Sequence, residues 1–111
     1  MNIRELTRPA DVDDLLNGDQ PAWLFKHSRI CPNSSAALGQ VQLHLVEHPD
    51  QPAGMVVVQT HRPVSNYIAD VTTIAHQSPQ LLLVRQGTVL WHASHNAITT
   101  AAMAEAYKQH A

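Results

Sequence analysis

Between Trp23 and Ser35 an apolar run of strand type, Trp23-Leu24-Phe25, empties into a short polar turn, Lys26-His27-Ser28-Arg29. The sole cysteine of the 111 residues follows at position 31, with Pro32 and a helix-like segment directly behind it. That order confines the chain to a strand–turn–helix unit with a lone sulfur at the first helical turn. Unpaired N–H groups and the helix dipole favour a negative charge at such a place, and so an ionised thiol. Cys31 is therefore the candidate redox nucleophile, and most of the remaining chain reads as its scaffold.

The pattern on either side extends this unit. Pro21 to His27 is a buried strand, and the helix that opens at Cys31 or Pro32 runs unbroken to Pro49. Leu38, Val41 and Leu45 give that helix its apolar stripe. Val41, Leu43 and Leu45 also alternate like a strand, but the segment is too long for an ordinary one. Upstream, Ile3 and Leu6 suggest a short edge strand. Thr7 as cap, with Pro9 behind it, predicts a helix bearing Val12, Leu15 and Leu16 and stopped by Asn17-Gly18.

Downstream, Pro49 to Gly54 is a predicted loop, and Met55 to Gln59 is a β-branched strand covered on both faces. A third helix opens near Pro63 with Val64, Tyr67, Ile68 and Val71, and Ser78-Pro79 interrupts the chain. Leu81–Arg85 and Thr88–His92 then form a hairpin about Gln86-Gly87. The last helix, capped near Thr99, aligns Met103, Ala106, Tyr107 and His110. The succession β-α-β-α-β-β-α implies parallel strands joined by crossovers, followed by an antiparallel C-terminal hairpin. The expectation is one α/β domain over residues 1–111, a central mixed sheet flanked by helices in the order of the thioredoxin fold.

Composition narrows the chemistry. A net charge of −2 gives no electrostatic footprint for nucleic acid or an anionic membrane. A single cysteine excludes an internal disulfide and any Cys-rich metal cage built from one chain. Met1 to Glu5 contains an early acid and no signal-like apolar core, and no run approaches the ~20 residues of a membrane span. These features lead to the expectation of a soluble protein in a reducing cytoplasm.

A lone cysteine is most often a small buried hydrophobe. Here polar neighbours, Ser28, Arg29, Asn33 and Ser34, and a helix-starting proline point to an accessible nucleophile instead. Lys26, His27 and Arg29 are candidates for its electrostatic support. A dithiol oxidoreductase needs a resolving cysteine one turn on. That position holds Ser34, whose hydroxyl cannot displace a sulfur, so a mixed disulfide on Cys31 must be resolved by a second thiol from solution. Ser78-Pro79 stands just before a core strand, where the thioredoxin fold keeps a cis proline beside its reactive cysteine. In that geometry the backbone of Ser78 faces the substrate and can pair with it like an added strand. Pro32, Ser34, Ser78 and Pro79 are thus the candidate substrate-binding residues.

Five segments in order resemble the YtxJ-type monothiol bacilliredoxins, thioredoxin-like proteins of the bacillithiol system. They are Phe25-Lys26-His27-Ser28, Cys31-Pro32-x-Ser34, Arg62-Pro63-x-Ser65-Asn66-x-Ile68-Ala69, His76-x-Ser78-Pro79-Gln80 and Trp91-His92-Ala93-Ser94-His95-x-x-Ile98-Thr99. The likeness spans roughly residues 21 to 108. It implies that Cys31 attacks bacillithiol mixed disulfides on proteins and becomes bacillithiolated itself, in a bacterial cytosol under oxidative stress. It implies no bound cofactor, with bacillithiol or a similar low-molecular-weight thiol as co-substrate and S-thiolated proteins as partners. Ile30 stands where the pattern has threonine, and Asn33 where an aliphatic residue is usual.

The alternative is a non-catalytic thioredoxin-fold sensing or binding module whose cysteine is reversibly S-thiolated. Iron–sulfur ligation by paired chains ranks last, because the sequence at Cys31 is not the Cys-Gly-Phe-Ser of monothiol glutaredoxins. His76, His92 and His95 have no neighbouring carboxylate in sequence and are not assigned a metal; hydrogen bonds from His92 and His95 are expected to hold the loop before the last helix. Arg62 has a guanidinium fork suited to carboxylates, and a solvated structural role fits it equally. Trp23 and Trp91 are expected in the core and at its edge.

Overall fold

The strand that leads to Cys31 is the axis of the sheet. The structure, a computed structural model, describes residues 3–110; the part of the N-terminal expectation resting on Met1 and Asn2 lies outside them. The strands are β1 (Ile3–Glu5), β2 (Ala22–His27), β3 (Ala53–Val57), β4 (Gln80–Arg85) and β5 (Thr88–Ser94), in the sheet order β1-β3-β2-β4-β5. The helices are α1 (Pro9–Leu16), α2 (Pro32–Glu47), α3 (Arg62–Thr72) and α4 (Thr100–His110), with a 3-10 turn at His95–Ala97 before α4. Strands β1, β3 and β2 run parallel, and β4 and β5 pair antiparallel beside β2.

Side chains of β2 alternate between two cores, as the pleat requires. Ala22 and Leu24 join Leu6, Val12, Leu16, Val56, Val64, Ile68 and Leu82 under α1 and α3. Trp23 and Phe25 join Val41, Leu45, Leu81, Leu83, Ile98 and Met103 under α2 and α4. Lys26 continues the first set and is fully buried. A mixed sheet covered by helices on both faces is the architecture expected from the sequence.

Local differences have local causes. The N-cap of α1 is Arg8, not Thr7. The Asp11 carboxylate reaches back to accept the N–H groups of Thr7 and Arg8 at 2.9 and 3.1 Å. With Arg8 and Arg4 adding to those two bonds, its pKa lies well below the usual carboxylate range. Strand β3 opens at Ala53 and closes at Val57, so Ala53 and Gly54 are strand, not loop.

Gly54 belongs there because α1 and Leu6 press onto the sheet. A Cβ at this position would collide with Leu15 Cδ1 and stand 2.8 Å from Leu6 Cδ2. Gly54→Val is expected to destabilise the fold by about 1–3 kcal/mol through overpacking, read as a lowered Tm with an unchanged denaturant m value; wild-type stability in this variant would contradict that packing.

Val71, assigned above to the apolar face of α3, is exposed, and Leu43 on α2 is exposed as a helix requires and a strand would not. At the hairpin, Gln86 and Gly87 both have positive φ, 51° and 79°. That is the turn geometry whose twist suits adjacent antiparallel strands. Among the described residues no helix is long and apolar enough to cross a membrane.

Candidate active site

Cys31 is the N-cap of α2, with extended backbone (φ −103°, ψ 116°), and Pro32 fills the first helical position. Proline suits it because the missing N–H would find no partner inside the helix. The Cys31 carbonyl accepts from Ser34 and Ser35 N–H at 3.0 and 3.3 Å. Its side chain occupies the place where helices usually hold an N–H-accepting oxygen. The residue is half-buried, and Arg29, Ile30, Pro32 and Asn33 around it are exposed. At 83% exposure Ile30 is an apolar surface beside the sulfur, not part of the core.

The floor of this loop is a closed polar network. Ser34 is fully buried, and its Oγ accepts from Ser28 N–H at 2.8 Å and lies 2.9 Å from His27 Nδ1. Gln59 completes it: its Nε2 donates to Ser28 Oγ at 2.8 Å, and its Oε1 accepts from Arg29 N–H at 3.0 Å. Turn and helix are thereby pinned together just before the cysteine. Ser34, expected to line the substrate site, instead points inward and fastens the turn.

His27, a candidate cation by residue type, is not one here. Burial first, and the Arg29 charge second, lower its pKa. It is therefore neutral at pH 7, a hydrogen-bond partner of Ser34 with its ring stacked at 6.0 Å on Phe25. Arg29 remains as an exposed cation two residues from the sulfur.

The second wall comes from the other side of β2. Gln80 pairs with Lys26, so the residue before it, Pro79, lies at the end of the sheet where the Cys31 turn leaves β2. The Ser78–Pro79 peptide bond is cis. Pro79 is buried, and its carbonyl accepts from His95 N–H at 3.2 Å, tying the 3-10 turn to the same end. Backbone thus holds the turn: the side chains of His92 and His95, expected to do so, are exposed. Gln80 Nε2 donates to Ala75 O at 3.1 Å, and His76, next in that loop, meets buried Lys26 with Nδ1 3.2 Å from Nζ. Burial lowers the Lys26 pKa from 10.5 to about 8.

A model of the monothiol bacilliredoxin BrxC family matches residues 4–103. The chain belongs to that family. Among solved structures, this bacilliredoxin is similar to one provisionally described as an oxidoreductase with a thioredoxin fold. The two share 29% identity and a TM-score of 0.87 over 94% of this chain and 92% of the other. Thioredoxins from Fasciola hepatica (15% identity, TM-score 0.78, 98% and 100% covered) and Trypanosoma brucei brucei (10%, 0.81, 97% and 89%) share the fold. Family and fold together assign the chain a thiol redox function.

The bacilliredoxin site therefore brings Cys31, Pro32, Ser78 and Pro79 to one end of the sheet, while Lys26 and Ser34 sit inside. Sequence reasoning missed Gln59, which carries no motif and falls at the end of the expected strand. It also missed the Lys26–His76 contact, which joins residues fifty positions apart. Among the described residues no group of three metal-ligating side chains comes together.

Proposed function

We propose that this bacilliredoxin removes bacillithiol, or a similar low-molecular-weight thiol, from protein mixed disulfides by a monothiol route through Cys31. The observation that carries the reading is an accessible cysteine at a helix N-cap whose resolving position holds a buried serine. The Cys31 thiolate attacks the small-thiol sulfur of the mixed disulfide. One S–S bond forms on Cys31, the original S–S bond breaks, and the target leaves as a thiolate. A second molecule of the small thiol then attacks the Cys31 adduct, releasing the symmetric disulfide and restoring the thiolate. Electrons balance without any cofactor: the target sulfur is reduced, one free small thiol is oxidised, and the cap, already at the disulfide level, leaves as the other half of the symmetric disulfide.

Cys31 meets the incoming disulfide from the N-terminal end of α2. Pro32 and the Ser78–Pro79 backbone would border the incoming disulfide, the latter as an edge for strand-like pairing. The exposed Arg29 would add positive potential at the turn, and Lys26 would act from beneath. The setting that suits this cycle is the cytoplasm.

The test follows target release from a bacillithiolated protein by mass spectrometry in the presence of free thiol. Wild type is expected to accelerate release, and Cys31→Ser to leave only the uncatalysed rate; equal release by both would end the proposal. A sensing module, the second reading, would form the adduct stoichiometrically and not turn over.

A further inference from the structure

Between the end of β2 and Cys31 the chain turns through Ser28, Arg29 and Ile30 with no glycine or proline to set its shape. The backbone bond across this turn, from Cys31 N–H to Ser28 O, is long at 3.4 Å. Arg29 and Ile30 are exposed, so core packing does not hold them either. The restraint comes from the end of β3. Parallel pairing sets His27 beside Val57, and Val58 N–H donates to His27 O at 2.9 Å. Just beyond Gln59, the N–H groups of Thr60 and His61 donate to Val57 O at 3.2 and 3.0 Å and lead the chain into α3.

An anchored backbone therefore carries the Gln59 side chain to the turn. Its Oε1 accepts from Arg29 N–H at 3.0 Å and its Nε2 donates to Ser28 Oγ at 2.8 Å. Ser28 is also held from beneath, where its N–H donates to Ser34 Oγ. The carboxamide is thus the contact that fixes the outer half of the turn at Arg29, two residues before the sulfur. Gln59 itself is exposed and belongs to neither core, so its replacement costs the fold little.

We infer that Gln59 is a positioning residue for exchange at Cys31: its carboxamide locks the Ser28–Arg29 turn and so fixes the direction from which the sulfur approaches a disulfide. The inference rests on the exchange reading above and adds a residue to it. In the step concerned, the Cys31 thiolate forms an S–S bond with the small-thiol sulfur while the original S–S bond breaks, and that bond's electron pair leaves on the target sulfur. The three sulfurs must stand nearly in line, and a displacement of about 1 Å can cost about 100-fold in rate. Alkylation of the same thiolate by iodoacetamide makes no such demand, because the small reagent approaches from any open side. The ratio of exchange to alkylation rates cancels both ionisation of Cys31 and the folded fraction. A carboxylate at position 59 keeps both contacts, accepting from Arg29 N–H and from a Ser28 hydroxyl turned to donate; a methyl group keeps neither.

The test compares wild type, Gln59→Ala and Gln59→Glu in single-turnover transfer from a bacillithiolated protein to Cys31, and in alkylation by iodoacetamide at the same pH. Gln59→Ala is expected to lower the ratio by roughly 10-fold or more, with alkylation within about 2-fold of wild type and Tm lowered by less than about 8 °C. Gln59→Glu is expected to restore the ratio to within about 3-fold of wild type. A wild-type ratio in Gln59→Ala, or exchange and alkylation falling there by the same factor, overturns this inference alone. So does a ratio in Gln59→Glu as low as in Gln59→Ala. Absence of transfer by wild type overturns it together with the exchange reading.

Discussion

Ser34→Cys is expected to turn a cycle that waits for a second thiol into one that resolves itself. Residues three apart in a helix stand on one face, at a Cα separation that a disulfide accepts. In the variant, the introduced thiolate attacks the Cys31 sulfur, expels the small thiol and leaves an internal disulfide. Proximity replaces a solution encounter, so at low free thiol the adduct should decay on the order of 100-fold faster than in wild type. Stability should fall as well. Ser28 N–H loses its 2.8 Å acceptor, and an orphaned buried donor costs about 1–3 kcal/mol. The readout is the intact mass of the adduct against time without added thiol. An adduct as long-lived in folded Ser34→Cys as in wild type would contradict the monothiol explanation.

Lys26→Met is expected to make the protein more stable at neutral pH. Burial moves the lysine pKa from 10.5 in the unfolded chain to about 8 in the folded one. Between these values the unfolded chain binds more protons, so stability rises with pH across that window. Below pH 8 the full penalty of holding a buried ammonium applies. At 1.36 kcal/mol per unit, and discounted for screening, that penalty is about 2 kcal/mol. Methionine has similar length and no charge, so it should recover most of this at pH 7 and almost none at pH 10.5. Denaturant melts at the two pH values measure it. A Lys26→Met protein less stable than wild type at pH 7, with the high-pH rise intact, would contradict the assignment of Lys26 as an uncompensated buried charge.

Much of this architecture is legible in the sequence because it rests on local signals. Cys31-Pro32 marks a helix start by chemistry that acts within one turn, and Gln86-Gly87 marks a hairpin by positive φ. Element edges set by distant partners are less legible. Gly54 looks like a loop residue until Leu15 and Leu6 are seen to occupy the space of its side chain. The direction of Ser34 cannot be read either, since its partners Ser28 and His27 are reached only when the turn closes. His27 and Lys26 have the residue types of cations, and burial alters both. Gln59 gives no sequence signal because its role is a pair of hydrogen bonds across about thirty residues.

The most direct test of the central claim is the intact mass of this bacilliredoxin after equimolar mixing with a bacillithiolated protein in the absence of free thiol. The account predicts a gain equal to one bacillithiol, mapped to Cys31, persisting until thiol is added, with the target recovered reduced. No gain on Cys31 while the target is nevertheless reduced, or a covalent link between the two proteins as the stable product, would contradict it.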